Sequence, residues 1–227
     1  MTRYIQRKSL QARITHGVTI SCCIWLMLSG LVVFIPALAA ALPPGVVVFI
    51  RMSHRVIGVA FVAVPLISAL MAPKGVKHIF KNLFAKWDHK DFVFMELFVP
   101  YMLAVKHVHM PDQAEVKSGQ RFADGMLWLS GLAMAITGVG LLIGDTVFAF
   151  SAGVMGVLRM LHDIFFVVMA IFAIAHIYLG SGIFQPYRGT HRIMFGDGKV
   201  SESDALYHWG DWAREELESG KNVVEEK

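Results

Sequence analysis

The sequence predicts an all-α integral membrane protein: a four-helix bundle with an amphipathic cytoplasmic connection and a short C-terminal cytoplasmic helix. The first observation is composition, because 56% of the 227 residues are hydrophobic and 17% are charged, whereas an average soluble domain carries about 25% charged residues. The second is a set of four long apolar runs, at about residues 17–41, 50–72, 122–143 and 154–184. The third is the uneven placement of basic residues between these runs.

Each apolar run is long enough to cross a membrane. About 20 helical residues span a hydrocarbon core roughly 30 Å thick, and all four runs reach that length. In lipid the backbone polar groups must bond within their own segment, so each run is predicted to be a helix. We therefore predict one transmembrane domain over residues 1–198 and a cytoplasmic tail over residues 199–227.

The basic residues predict the orientation of the chain. Of the 21 Lys and Arg residues, four lie in residues 1–13, eight in the connection 73–121 and six after residue 184. The short connections 42–49 and 144–153 contain none. Because basic loops stay in the cytoplasm, both termini and the long connection are predicted to be cytoplasmic. The net charge of +4 then reflects topology and contact with membrane lipid, and no basic cluster with interleaved aromatic residues indicates a nucleic acid partner.

Two polar segments carry weaker patterns. The connection 73–121 mixes large apolar residues with sparse charge in DFVFMELFVPYMLAVKHV, which indicates a segment on the membrane surface or packed under the bundle. The tail is predicted to form a solvated cytoplasmic helix at about residues 203–219.

Four of the ten histidines lie in or at the ends of the apolar runs: His16, His54, His162 and His176. An ionisable side chain in a membrane helix is costly unless it has a partner, so it marks a functional site by default. His162 and His176 are fourteen residues apart on the fourth run. That spacing is about four helical turns, so the two side chains share a face but lie roughly 21 Å apart along the axis. One metal cannot bind both, and two stacked sites are predicted.

The predicted topology pairs these histidines by depth. His54 and His162 both lie toward the outer face, and His16 and His176 both lie toward the cytoplasmic face. Paired histidines are the axial ligands by which b-type cytochromes hold haem without a covalent bond, and bundle interiors are where such cofactors bind. The sequence therefore predicts two haem b groups.

Basic residues flank the predicted ligands. Arg51, Arg55 and Arg159 lie within three residues of His54 or His162, on the side where the positive-inside rule disfavours them. Haem propionates would hold them there through charge-assisted hydrogen bonds. On the inner side Arg13 is the corresponding candidate. The alternative is that these side chains extend to the membrane edge as ordinary surface cations.

A rival function is a metal or proton transporter lined by histidines. It would require the histidines to cluster at one depth and to be joined by carboxylates within the membrane. The outer and inner pairing instead favours haem.

With these features together, the chain resembles the membrane cytochrome b (gamma) subunit of respiratory formate dehydrogenases. Related subunits serve thiosulfate reductase-like enzymes and nickel–iron hydrogenases. The resemblance covers about residues 8–198 and rests on RITHGVTISCCIWLMLSGLVVFIP, RMSHRVIGVAF, KSGQRFADGMLWLSGLAMAITGVGLL and RMLHDIFFVVMAIFAIAHIYLGSGIF. It implies the same two ligand pairs.

The resemblance also implies a quinone site beside the inner haem. The family has a short Asn-x-Gly-Gln stretch that opens the third helix, and this sequence has Lys117, Ser118, Gly119 and Gln120 there. Gly119, Gln120 and His176 are the implied contacts for menaquinone or ubiquinone. Lysine replaces asparagine at position 117, which puts the role of that position in doubt.

The implied activity is electron transfer in the bacterial inner membrane. An iron–sulfur subunit and a molybdenum or tungsten catalytic subunit would supply electrons on the periplasmic side, and a quinone would be reduced near the cytoplasm. The substrate-oxidising site is not on this chain. The alternative partner is a hydrogenase or a thiosulfate or polysulfide reductase complex, and higher-order association of the complex is a further expectation.

Overall fold

The computed structural model describes residues 2–104 and 107–226. Within this part of the chain, four helices are long and apolar enough to cross a membrane. They are α1 (Leu10–Phe34), α3 (Pro44–Met71), α6 (Ser118–Thr146) and α7 (Ala152–Gly180). The predicted all-α membrane bundle is confirmed.

The helix ends differ from the hydropathy boundaries because local chemistry sets them. Helix α1 begins at Leu10, seven residues before the predicted run, where the Ser9 hydroxyl accepts a hydrogen bond from the Ala12 amide at 3.2 Å. It ends at Phe34, and Pro36 opens a separate short helix, α2 (Pro36–Ala40). Pro44 likewise opens α3, because proline suits the first turn of a helix. Hydropathy marks the apolar part of a helix, and not its caps.

Contacts divide the chain into two units, which are described separately. The bundle unit consists of Thr15–Ala72 and Met126–Ala173. In it α1 pairs antiparallel with α3, where the Thr15 hydroxyl donates to the Ser68 hydroxyl at 2.8 Å. Helices α6 and α7 pair in the same way, where the Ser130 hydroxyl lies 3.2 Å from Sδ of Met169.

The bundle unit exposes apolar side chains on its outer surface. Val48, Phe49 and Val56 of α3 are each more than 60% exposed, and α3 has no buried residue in its apolar window. In water such a continuous apolar surface would be unfavourable. Such an apolar surface is favourable in contact with the hydrocarbon chains of membrane lipid.

The sheet unit consists of Met1–Ile14, Pro73–Gly125 and Ile174–Lys227. Its described strands are β1 (Thr2–Gln6), β2 (Lys199–Ser201) and β3 (Val223–Glu226), in the antiparallel order β2-β1-β3. The register pairs Tyr4 with Ser201 on one side and with Val224 on the other. The sequence pattern does not predict this small sheet.

The C-terminal segment packs against that sheet. Helices α8 (Arg192–Phe195), α9 (Glu202–His208) and α10 (Gly210–Ser219) enclose a core with Ile5. Its other buried residues are Ile193, Val200, Ala205, Trp209, Trp212 and Ala213. The predicted helix at about residues 203–219 is present as α9 and α10, but the prediction that it is solvated is wrong. Its two tryptophans have an apolar partner in the first strand, which lies some 200 residues away in the sequence.

The long connection of the sheet unit contains α4 (Pro73–Leu83) and α5 (His89–Leu103). Helix α5 begins with a capping box, in which the side chains of Asp88 and Asp91 bond to each other's backbone amides. Asp91 also forms a 2.6 Å ion pair with the buried Arg121 and accepts a hydrogen bond from Ser118. These bonds anchor the start of α6 on α5. Val105 and Lys106 of the predicted connection lie outside the described residues.

Gly198 lies in a turn of the sheet unit where the backbone is left-handed and leaves no room for a side chain. We therefore expect Gly198→Ala to destabilise this unit strongly. Its φ is +86°, and a Cβ there would overlap the backbone oxygen of Lys8 and lie 2.6 Å from Nε2 of Gln6. Its carbonyl accepts hydrogen bonds from the Arg7 and Lys8 amides at 2.8 and 3.1 Å. The backbone strain alone costs about 1–3 kcal/mol. Hydrogen exchange of the β1 amides in detergent measures the loss.

The matched control is Gly220→Ala. Gly220 has φ +64° with nothing within 4 Å of an added Cβ. Gly220→Ala therefore has the cost of a left-handed backbone but no steric overlap. Equal losses of stability in Gly220→Ala and Gly198→Ala would contradict the role given to the overlap at Gly198.

Candidate haem site

His54 lies in α3 of the bundle unit, next to a hydroxyl and a glycine of α1. Its Nδ1 is 2.7 Å from Oγ of Ser29. A Cβ added to Gly30 would lie 3.6 Å from Cε1 of His54 and 3.5 Å from Cε2 of Phe166 in α7. The absence of a side chain at Gly30 lets the α1 backbone lie close to the imidazole ring.

His162 lies in α7 in an arrangement of the same kind. Its Nδ1 is 2.8 Å from Oγ1 of Thr137 in α6. A Cβ added to Gly138 would lie 3.3 Å from Cε1 of His162, which is closer than most Cβ contacts, so a larger residue there would push the ring. Each predicted outer ligand thus has a hydroxyl on one ring nitrogen and a glycine backbone beside the ring.

The structure brings His54 and His162 together in the bundle unit. Phe166, which lies next to Gly30 and close to His54, is one helical turn beyond His162 on α7. The two histidines are therefore at similar depth, as the sequence predicted for the outer pair.

The predicted inner ligands fall in different units, His16 in the bundle unit and His176 in the sheet unit. Their pairing stays a prediction. In the sheet unit, Nδ1 of His176 lies 3.5 Å from Oδ1 of Asp124. The Gln120 amide donates to Oδ2 of the same carboxylate at 3.3 Å. Two of the three residues implied for quinone binding therefore meet at Asp124.

Gly119 contributes a close approach between helices. A Cβ at this position would lie 3.3 Å from Cε1 of Phe94 in α5. The residue therefore lets the start of α6 pack against α5. Its predicted quinone contact stays a prediction.

The predicted propionate ligands have different surroundings. Arg55 donates to Oδ2 of Asp145 at 2.8 Å, and Arg51 is exposed. Arg159 lines an open cavity of about 510 Å³ together with Phe34 and Asp163. In the sheet unit, the Arg13 guanidinium donates to the backbone oxygen of Gly196. The carboxylate bound by Arg55 is the type of group a propionate presents, and the propionate roles stay predictions.

Lys117, the residue that departs from the family motif, points into the core of the sheet unit. Its ammonium donates to Nδ1 of His208 at 3.3 Å and lies 4.1 Å from the centre of the Tyr187 ring and 4.9 Å from that of Trp209. Burial lowers the pKa of Lys117 well below its usual value, and the neighbouring Arg7 lowers it further. Lys117 therefore connects the start of α6 to the C-terminal segment.

Acid is expected to loosen this cluster through His208. Burial, followed by Lys117 and Arg7, lowers the pKa of His208 to about 3, compared with about 6.5 in an unfolded chain. The unfolded state then binds the proton first, so the stabilisation is complete above pH 6.5 and is lost as the pH falls toward 3. We expect a loss of about 1.4 kcal/mol per pH unit below pH 6, measured by hydrogen exchange of the β1 amides.

The variant His208→Gln isolates this titration. Its amide oxygen still accepts a hydrogen bond from Lys117 but does not titrate, so its stability should change little between pH 6.5 and 5. The same slope in both proteins would contradict the assignment to His208.

Comparison with known families bears on this site. A family model described as prokaryotic cytochrome b561 matches residues 7–196, a range that includes all four spanning helices. The chain belongs to the prokaryotic cytochrome b561 family. Comparison with functionally curated proteins gives no match.

Family membership establishes the general function of this cytochrome. It is a membrane b-type cytochrome that acts in electron transfer, and the family binds b-type haem. Four apolar helices in a prokaryotic membrane cytochrome indicate a multi-pass protein of the inner membrane. Electron transfer is favoured over the histidine-lined transporter.

The residues of the bundle unit fit a non-covalently bound haem. Histidine nitrogen is a standard axial ligand for haem iron, and a ligating histidine normally uses its other ring nitrogen for a hydrogen bond. In His54 and His162 the Nδ1 position is next to a hydroxyl. If the two rings bind haem, Nε2 is then the nitrogen that each would offer to iron.

Sequence analysis of the cytochrome missed Ser29, Thr137 and Asp124 as partners of the histidines. The sequence contains a pattern that could have identified Ser29 and Thr137. A hydroxyl residue followed by glycine occurs at 29–30 and at 137–138, each hydroxyl 25 residues before its histidine. Such short pairs are common in membrane helices, so only the contacts distinguish them.

Proposed function

We propose that this cytochrome is the diheme membrane subunit of a periplasmic formate dehydrogenase and that it delivers electrons to a quinone reduced near the cytoplasmic side. The observation that carries the haem part is the pairing of His54 and His162 in the bundle unit, each ring packed against a glycine. The family match supports electron transfer. The formate partner rests on the sequence resemblance.

The chain would hold one haem through Nε2 of His54 and of His162. A second haem, on His16 and His176, rests on the fourteen-residue spacing of the histidines on α7. When bound, these groups supply reversible one-electron chemistry at iron. The protein would orient the imidazoles and set the basicity of the ligands through their hydrogen bonds.

The quinone would bind near the start of α6 in the sheet unit. Gln120 is exposed, and its amide bonds to Asp124 at 3.3 Å. That amide group can donate its second N–H to a quinone carbonyl oxygen. Asp124 would hold both Gln120 and His176 in place, and Lys117 supports the site through its contacts with His208 and Tyr187.

The topology that suits this function has both termini in the cytoplasm, as the distribution of basic residues predicts. An iron–sulfur subunit and a molybdenum or tungsten subunit would then dock on the opposite face. A hydrogenase or a thiosulfate or polysulfide reductase is the second candidate for the partner complex. The family description, prokaryotic cytochrome b561, names no partner complex, so it does not favour one partner over another.

Two measurements test the proposal. A reduced-minus-oxidised spectrum of the purified chain should show b-type haem at two haems per chain. No b-type signal, or one haem per chain, would contradict the diheme assignment. Affinity purification from the native membrane should recover a formate-oxidising subunit, and recovery of a hydrogenase or a sulfur-compound reductase instead would replace the proposed partner.

A further inference from the structure

The bundle unit contains the same small arrangement twice. On α1, Ser29 precedes Gly30, and on α6, Thr137 precedes Gly138; in both cases the hydroxyl contacts the Nδ1 of a histidine 25 residues later, on the next membrane-spanning helix. In both cases the glycine backbone lies against the same imidazole. Two occurrences with the same partner atoms indicate a common role.

The hydrogen bonds of each hydroxyl determine where its proton lies. The Ser29 hydroxyl donates to the backbone oxygen of Trp25 at 2.7 Å. The Thr137 hydroxyl donates to that of Ala133 at 2.6 Å. A hydroxyl has one proton and two lone pairs, so in both cases the proton is committed to the preceding helical turn, and a lone pair remains for the histidine.

The imidazole must therefore be the donor. With the hydroxyl proton committed, the contacts of 2.7 and 2.8 Å between oxygen and Nδ1 are hydrogen bonds from Nδ1–H of His54 to Ser29 and from Nδ1–H of His162 to Thr137. Ser29 and Thr137 are each only 4% exposed, so bulk water does not compete for these bonds. A neutral imidazole with its proton on Nδ1 has its lone pair on Nε2.

We propose that Ser29 and Thr137 are positioning residues that set the tautomer and the ring orientation of His54 and His162, so that both present an Nε2 lone pair to the same haem. This inference rests on the proposed haem site of the bundle unit. Both acceptors are neutral hydroxyls, whereas the acceptor beside His176 is the carboxylate of Asp124. The ligand environment of the outer pair is therefore less negative than that of His176.

Removing either hydroxyl acceptor should lower the affinity for haem and change the midpoint potential of the haem. An acceptor on Nδ1–H raises the basicity of the ligand, and loss of such a partner typically costs 10- to 100-fold in metal affinity. We expect Ser29→Ala and Thr137→Val to lower haem affinity by that factor. The midpoint potential of the haem that remains should rise, because a less basic ligand stabilises oxidised iron less. Thr137→Val is nearly isosteric, so it removes the hydroxyl with little change in packing.

Conservative variants and controls separate this role from general packing. Ser29→Thr and Thr137→Ser keep a hydroxyl and should retain the wild-type affinity and potential. Ser130→Ala is the buried control on α6, because among the described residues that hydroxyl bonds to the Met126 backbone oxygen at 2.7 Å and contacts Sδ of Met169 rather than a histidine. Ser21→Ala serves on α1, where the hydroxyl bonds to Gly17.

The experiment is a haem titration and a potentiometric titration of the purified full chain in detergent, with electron paramagnetic resonance of the oxidised protein. A raised potential in Ser29→Ala and Thr137→Val, together with wild-type values in the hydroxyl-retaining variants and the controls, supports the inference. Unchanged potentials and affinities in the first two variants would overturn it. Equal changes in Thr137→Val and Thr137→Ser would overturn it as well. A wild-type chain without haem would instead refute the proposed function.

Discussion

Replacing His162 with alanine is expected to reduce the haem content from two per chain to one. His54 lies close to Phe166, which is one helical turn from His162, and a haem held by this pair would lose half of its axial ligation without His162. The change should leave the fold intact, because Thr137 keeps its hydrogen bond to Ala133 and its hydroxyl is not left unsatisfied. Pyridine haemochrome analysis against protein concentration measures the ratio.

The same measurement on other variants identifies the pair. His54→Ala should remove the same haem as His162→Ala, and the double variant should lose no more than either single one. His176→Ala should remove the other haem. His89→Ala is the control, because His89 is exposed at the start of α5. Two haems at full occupancy in His162→Ala would show that His162 is not a ligand.

The second large effect is expected at Asp124. Its carboxylate lies 3.5 Å from Nδ1 of His176 and accepts a hydrogen bond from Gln120. It would therefore orient both a haem ligand and the candidate quinone contact. Loss of a partner that orients a metal ligand typically costs 10- to 100-fold in affinity or activity. We expect Asp124→Ala to reduce quinone reduction by at least this factor and to change the spectrum of the haem bound by His176.

Two comparisons make this prediction specific. Asp124→Asn keeps an oxygen acceptor and should retain more activity than the alanine variant. Asp112→Ala removes a carboxylate of the same unit that forms an exposed ion pair with Arg214, and such surface pairs contribute little. If Asp112→Ala and Asp124→Ala were equally active, Asp124 would have no special role.

The membrane helices and the outer histidine pair could be predicted from the sequence, because both depend on local rules. Twenty apolar residues specify a spanning helix wherever they occur, and helical geometry alone relates His162 to His176. Topology then places His54 at the depth of His162, and in the structure Phe166, one helical turn from His162, lies close to His54; their role as a ligand pair stays a prediction. The prediction that the tail is solvated was wrong, because hydropathy shows that α10 is amphipathic but does not show that Trp209 and Trp212 pack in a core with Ile5.

The sequence by itself therefore determined the spanning helices, the histidine pattern and the family. Only the tertiary structure showed the acceptors of the histidines, namely Ser29 for His54 and Thr137 for His162, and the burial of Lys117 against Tyr187 and His208. The physical reason is the separation along the chain over which each effect acts. Helix periodicity acts within a segment, whereas a hydrogen bond between helices depends on the register and rotation of two packed elements, which no single segment specifies.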